Sequence, residues 1–246
     1  REMFPEDWAL IEEAIFLLFQ TNPFPEIFSA CPAFCQLACC HGATDSMHEP
    51  IGIQLTEATL AELALRMGLY KWPLHKKDGL GVTGKQVAVV GSGPAGLAAA
   101  IRLAQAGVSV TVFESADRPG GLLRYGIPNW HLEKDVVDAL VQRMEEDLKI
   151  EFVTGTKIGS EGGKSWTDLE AEYDAIVVAV GATVPNKHPQ ISDEIPGVVH
   201  AMEFLTNPDM QAEAANETVV VIGAGYSAVD ATSAVVRVKT QDEASK

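Results

Sequence analysis

The succession Gly91-Ser92-Gly93-Pro94-Ala95-Gly96 constrains this chain more than any other, because of what flanks it. Before it runs Val87-Ala88-Val89-Val90, short, β-branched and uncharged, as a buried strand requires; after it, Ala95 to Ala106 reads as a helix. A strand that turns through glycines into a helix opens a parallel α/β unit. Gly91 permits the tight turn, Gly93 lets backbone approach a pyrophosphate, and Gly96 lets the helix pack close to the strand. The helix N-terminus then faces the phosphates with free N–H groups and the positive end of its dipole. Val108 to Phe113 forms a second strand ending at Glu114, whose carboxylate suits ribose hydroxyls and repels a 2'-phosphate. Gln86 to Glu114 is therefore expected to bind the ADP half of a dinucleotide. A bare tight turn would explain the glycines alone, but not strand, helix and acid together.

The same alternation continues along the chain. Ala175 to Val180 reads as a strand closed by Gly181, and Val219-Val220-Val221-Ile222 as another that runs into Gly223-Ala224-Gly225-Tyr226-Ser227-Ala228. That second strand-glycine-helix plan suggests a second dinucleotide site, with Gly223, Gly225 and Ser227 in its loop and alanine at the third position, as often where NADPH is bound. Upstream the pattern is helical: Trp8, Ile11, Ile15 and Leu18 follow Pro5 at helical spacing, and Thr56 is expected to cap a second helix that Gly68 ends. Lys76 to Gly84, rich in glycine and charge, reads as a linker. The expected fold is α/β: a Rossmann-like domain over residues 84–215, an all-α domain over 1–83 before it, and a truncated second unit over 216–246. A half unit would leave a sheet edge uncovered, which favours a fragment over a chain that has lost its nicotinamide domain.

Composition narrows the partners. With 47% hydrophobic residues in 246, the chain can bury one good core or two smaller ones. A net charge of -16 argues against nucleic acid and anionic membrane surfaces, both of which select for clustered Lys and Arg. The longest apolar run, Ala14 to Phe19, is far short of the roughly 20 residues that span a bilayer. The start lacks the succession of a signal peptide, so the sequence is expected to be soluble and cytoplasmic. All four cysteines, Cys31, Cys35, Cys39 and Cys40, fall together, the opposite of a disulfide framework, and a cofactor suits them better. On a straight helix Cys31 and Cys39 would stand about 12 Å apart at 1.5 Å per residue, so a shared cluster requires the segment to curl. Zinc and free thiols stay open as alternatives, and adjacent Cys40 points away from Cys39's partners. Beyond Glu114, Gly120-Gly121 either lays a loop against a cofactor's diphosphate and flavin or forms a type II turn after Pro119.

These runs, with Arg124-Tyr125-Gly126-Ile127-Pro128, Tyr173-Asp174-Ala175 and Thr21-Asn22-Pro23-Phe24-Pro25-Glu26 before Cys31-Pro32-Ala33-Phe34-Cys35, resemble the glutamate synthase small subunit and its relatives. Those relatives include the large subunit of NADH-dependent ferredoxin:NADP oxidoreductase and the N-terminal half of dihydropyrimidine dehydrogenase. The resemblance covers nearly the whole chain. It implies an enzyme subunit in which NAD(P)H reduces FAD, and electrons pass through 4Fe-4S clusters to a partner subunit in a hetero-oligomer. It implies FAD contacts at Gly91, Ser92, Gly93, Pro94, Ala95, Gly96, Glu114, Gly121 and Leu122, with Ile158 and His131 at further positions. His131 stands where the family usually has Arg, an exchange of a fixed charge for a titratable one. Tyr226 likewise replaces the family's Asn.

For the cysteines the resemblance implies cluster ligation by Cys31, Cys35 and Cys39, and Glu57 occupies the place of a Glu that can ligate a second cluster. An ordinary first-turn acid beside a helix dipole is the other account of Glu57. The alternative to the enzyme subunit is a non-catalytic electron-relay or scaffold subunit that has lost the nicotinamide site. A flavin disulfide reductase needs a redox cysteine pair beside the flavin, and no cysteine follows Cys40. No Ser-His-Asp or paired-carboxylate arrangement stands out, and catalytic side chains stay unknown from sequence.

Overall fold

The computed structural model describes residues 5–43, 49–69, 72, 81–159, 163–182, 184–186 and 188–244. The chain opens with helices: α1 (Pro5–Thr21), a 3-10 helix (Pro25–Ala30), two single turns α2 (Phe34–Leu37) and α3 (Cys40–Ala43), and α4 (Ile53–Met67). Ile15, Leu18, Phe19 and Phe24 are buried here together with Ala61 and Ala64 of α4. Gly68 ends α4 in the left-handed region at φ 64°, as its sequence position suggested. The N-terminus differs from expectation. Gly52, not Thr56, is the cap, and Thr56 lies inside the helix with its hydroxyl donating to the Gly52 carbonyl at 2.8 Å. The start can move upstream because Gln36 of α2 accepts the Gln54 N–H at 2.8 Å, so a neighbouring helix satisfies a first-turn donor. Of the expected linker, residues 76–80 lie outside the described residues, and Gly81–Thr83 form a turn.

From Gln86 the chain alternates strand and helix: β1 (Gln86–Val90), α5 (Pro94–Gln105), β2 (Ser109–Phe113), the single turn α6 (Leu122–Tyr125), α7 (Lys134–Leu148), β3 (Glu151–Val153), α8 (Trp166–Glu172) and β4 (Ala175–Val178). The four strands form one sheet in the order β3-β2-β1-β4, every neighbouring pair parallel. β1 is central, and its residues Val87 to Val90 are all buried, which is why they carry no polar alternation. Its side chains divide between the faces. Val89 points toward α5, where Leu97, Ala100, Ile101 and Ala104 are buried, while Ala88 and Val90 join Phe113 and Leu169 on the other side. The buried residues of α7, Val137, Leu140, Val141, Met144 and Leu148, fall at helical spacing.

This body and the N-terminal helices form one compact unit, and polar contacts tie them. Arg143 of α7 pairs with Glu26 at 2.5 Å, with the Glu26 side chain 4% exposed, and its guanidinium lies 6.0 Å from the Trp72 ring centroid. Arg102 of α5 donates to the Gln20 carbonyl at 2.8 Å.

The remaining residues, mainly Gly181 to Lys246, form a second unit. It contains α9 (Ala201–Thr206), α10 (Pro208–Ala214) and α11 (Tyr226–Ala244), packed around Phe204, Ala214, Ala231, Ala234 and Val235. The strand expected at Val219–Ile222 is not formed. That segment carries no strand assignment, with Val220 78% and Ile222 65% exposed. β-branched residues favour a strand only where a neighbouring strand receives their backbone groups and side chains, and none of the described strands pairs with it.

Candidate dinucleotide-binding site

At the end of β1 the chain turns at Gly91 with φ 102°. A Cβ at Gly91 would stand 2.3 Å from the Ala179 carbonyl oxygen, and one at Gly96 would stand 1.9 Å from that of Gly91. Backbone crowding therefore dictates glycine at both. Gly93 is a different case. Its φ of -69° and ψ of -179° suit any residue, and among the described residues none other than its chain neighbours has an atom within 4 Å of where its Cβ would be. Glycine here keeps a space empty. Gly93 is also the N-cap of α5, with Pro94 in the first turn, so the N–H groups of Ala95 and Gly96 have no acceptor within the helix. Open space beside such donors is the geometry that receives an anion.

The Gly120-Gly121 pair comes back to this place. Gly121, at φ 51°, packs so that a Cβ would fall 2.8 Å from the Gly93 Cα, and a Cβ at Gly120 would meet Val137 of α7 at 2.9 Å. The two residues are held between the first glycine loop and α7 rather than standing out as a free turn. Arg124, 8% exposed, secures the loop from behind. Its Nε donates to the Pro119 carbonyl at 2.7 Å and its guanidinium pairs with Asp138, which also binds Arg118 at 2.7 Å. Burial by itself would raise the Asp138 carboxyl, but hydrogen bonding and charge from Arg124 and Arg118 hold it below its ordinary value. Lys134 donates to the Leu123 carbonyl at 3.0 Å, its ammonium destabilised first by burial and then by Arg124.

Glu114 stands at the end of β2, 7% exposed. One oxygen accepts from the Ser92 N–H at 3.0 Å and from the Ser92 hydroxyl; the other accepts from the Ser115 hydroxyl at 3.1 Å and the Ala116 N–H at 2.9 Å. Burial would raise its pKa, yet these donors outweigh burial and hold it below the usual carboxylate range. About four acceptor positions are all a carboxylate offers, so a ribose hydroxyl would have to share or exchange one of them.

Other expected contacts are spread more widely. Leu122 follows Gly121 and is 43% exposed, and exposed His131 lies with its ring centroid 6.2 Å from that of Trp130. Ile158 packs against the core cluster of Ala88, Val90, Phe113 and Leu169, beneath the sheet. In the second unit Gly223 turns at φ 134°, and Gly225 and Ser227 are exposed at the start of α11.

The cysteine segment does not run as one straight helix. Cys31 caps the 3-10 helix, Ala33 at φ 53° interrupts the helical path, and Cys35 lies in α2. Gln54 holds the bend by donating to the carbonyls of Phe28 at 2.9 Å and Cys31 at 2.7 Å. Backbone donors of Ile51 and His41 lower the Cys39 thiol, and burial raises Glu57. The Glu57 Oε2 atom is buried without a hydrogen-bond partner. Among the described residues, however, no three Cys, His, Asp or Glu side chains stand together as a metal-ion site. As placed, the thiols do not surround one cluster.

Sequence reasoning missed Arg124, Asp138 and Gln54. Arg124 sits inside a quoted motif, but its partner lies on a separate helix, and nothing in the spacing announces that pair. Gln54 likewise acts through main-chain carbonyls that only the fold brings near.

Residues 85–243 match the family model of the pyridine nucleotide-disulphide oxidoreductases. The chain belongs to this family. It is 39% identical, over 96% of its length, to the NADH glutamate synthase of Schizosaccharomyces pombe, covering 11% of that protein. To the small chain of the NADPH glutamate synthase of Bacillus subtilis it is 37% identical over 94% of its length, covering 47%. The chain thus spans about half the length of such small-chain relatives. Mycobacterium tuberculosis FprA in complex with NADPH superposes with a TM-score of 0.53 at 26% identity, over 60% of this chain and 35% of that one. The resemblance to the glutamate synthase small subunit is therefore borne out. Within this pyridine nucleotide-disulphide oxidoreductase region no cysteine occurs, so disulphide exchange has no thiol pair there. Among the described residues no helix is long and apolar enough to cross a membrane.

Proposed function

We propose that this chain carries the FAD site of an NAD(P)H-linked flavin oxidoreductase subunit that delivers electrons to a partner subunit. The observation that carries the proposal is Gly121 seated on Gly93, beside the open N-terminus of α5. In this reading the Ala95 and Gly96 N–H groups bind the diphosphate, and the empty space at Gly93 admits it. Glu114 takes the adenosine ribose, and Gly121 with Leu122 borders the flavin end, His131 and Ile158 contributing at its margins. Gly223, Gly225 and Ser227 take the nicotinamide nucleotide. When bound, FAD would accept a hydride from NAD(P)H and release electrons one at a time.

The finer parts rest on separate support. An iron-sulfur cluster on Cys31, Cys35 and Cys39 rests on the family resemblance, since the thiols as placed do not surround one; Glu57, with one buried, unpartnered oxygen, stands where a ligand of a second cluster is expected. A partner subunit is supported by relatives of two kinds, a separate small chain and a much longer single chain. The nicotinamide-free relay subunit keeps one observation in its favour, the Val219–Ile222 segment without strand pairing, with Val220 and Ile222 exposed.

Anaerobic titration of the intact, flavin-loaded protein with NADPH and with NADH separates these readings. Bleaching of the visible flavin band is expected with at least one of them. FAD without bleaching would leave the relay subunit standing, and absence of extractable FAD would sink the site itself. An iron assay with electron paramagnetic resonance decides the cluster.

A further inference from the structure

Ser92 is the most enclosed polar residue of the site, with 0% of its surface exposed. Its hydroxyl donates to Glu114 and accepts the Gly120 N–H at 2.9 Å. A serine hydroxyl has one proton to give, and Glu114, charged and acceptor-only, takes it. The remaining lone pairs then face Gly120, so the order Gly120 N–H to Ser92 O–H to carboxylate is fixed. Each link in such a chain polarises the next, and the last is charge-assisted. The ends of the chain lie in different parts of the site: Glu114 closes β2, whereas Gly120 precedes the residue packed on Gly93.

From this geometry we infer that the Ser92 side chain is a positioning residue, which joins the carboxylate of the adenosine end to the Gly120-Gly121 loop of the flavin end. The inference rests on the FAD reading above and deepens it. Without the hydroxyl, Glu114 still has three protein donors, so the ribose end keeps its shape. The Gly120 N–H, buried at the seam, loses its acceptor, and the loop loses its register against Gly93. Ser92 therefore matters most to a ligand that reaches both ends.

FAD and ADP are the probes, since ADP occupies only the adenosine end. Their dissociation constants are measured by calorimetry on the intact protein stripped of flavin, for the wild type, Ser92→Ala and Ser92→Cys. Cysteine nearly keeps the volume but hydrogen-bonds weakly, and it serves where alanine fails to fold. Both variants are expected to weaken FAD by about tenfold or more, as for a buried donor left without an acceptor, and ADP by no more than about threefold. Equal weakening of FAD and ADP would overturn the inference, since Ser92 would then serve Glu114 alone. A cysteine variant that binds FAD like the wild type would also overturn it, because volume rather than hydrogen bonding would be what counts. Wild-type protein that binds neither probe would instead remove the FAD reading on which it rests.

Discussion

The two glycine loops share a sequence plan and differ in what surrounds them. Gly91 to Gly96 leaves a strand paired on both sides, so the turn is pressed between the Ala179 carbonyl and the first turn of α5. Gly223 to Ser227 follows a segment without strand pairing, and a Cβ at Gly225 would meet nothing within 4 Å. Gly91 and Gly96 of the first loop are glycine by steric necessity. In the second, Gly225 has room for a side chain and only the positive φ of Gly223 asks for glycine. A glycine motif thus specifies which backbone conformations are permitted, while neighbouring strands decide whether those conformations become a rigid cradle.

Substitution of the third glycine should give the largest contrast. Gly96→Ala drives a methyl group into the Gly91 carbonyl, and a cost of about 3 kcal/mol or more is expected, with loss of bound flavin. Urea unfolding followed by circular dichroism checks it, and near-wild-type stability would break the steric account. Gly121→Ala combines a left-handed φ with contact at Gly93, and should cost about 2 kcal/mol. Flavin retention through gel filtration is the sharper readout there.

A smaller effect is expected at Glu114, where Glu114→Gln replaces two acceptor positions by an amide that opposes donors, at about 1–2 kcal/mol near neutral pH. This difference has a definite pH sign. The folded carboxyl lies below its unfolded value, so the stabilisation is complete above the unfolded carboxylate range, about 4.3. It is lost as pH falls through the lower folded value. Melting curves of the two proteins should accordingly converge in acid, and a gap that widened there would contradict the donor shell around Glu114. Gly225→Ala should change least, within about 0.5 kcal/mol, and a large loss would mean that the second loop is as confined as the first.

Much of the first unit was legible because its signals are local. β1, α5 and β2 follow from uninterrupted β-branched and helical runs bounded by glycine, and the structure moves their ends by a residue or so. α7 was not singled out, although Val137, Leu140, Val141, Met144 and Leu148 carry its period. What stayed hidden depended on distant partners. Thr56 looked like a cap until Gln36 supplied one from another helix. Val219–Ile222 has the composition of a strand, but composition cannot provide the neighbour. Glu114 stands at the strand end where the sequence puts it, while its four protein donors arise from loops that close only in the folded chain.

At the seam where Gly121 rests on Gly93, main chain touches main chain with no side chain between. A gap bounded by side chains can be widened or narrowed one methylene at a time over successive generations. On the Gly121 side this one has no such dial, because a carbon added there would fall 2.8 Å from the Gly93 Cα. Variation in how tightly the seam grips a cofactor, or in how its electrons are tuned, has to enter from the ring behind it, through Ser92, Arg124, Val137 and Asp138. Those four positions are where the molecule is adjustable.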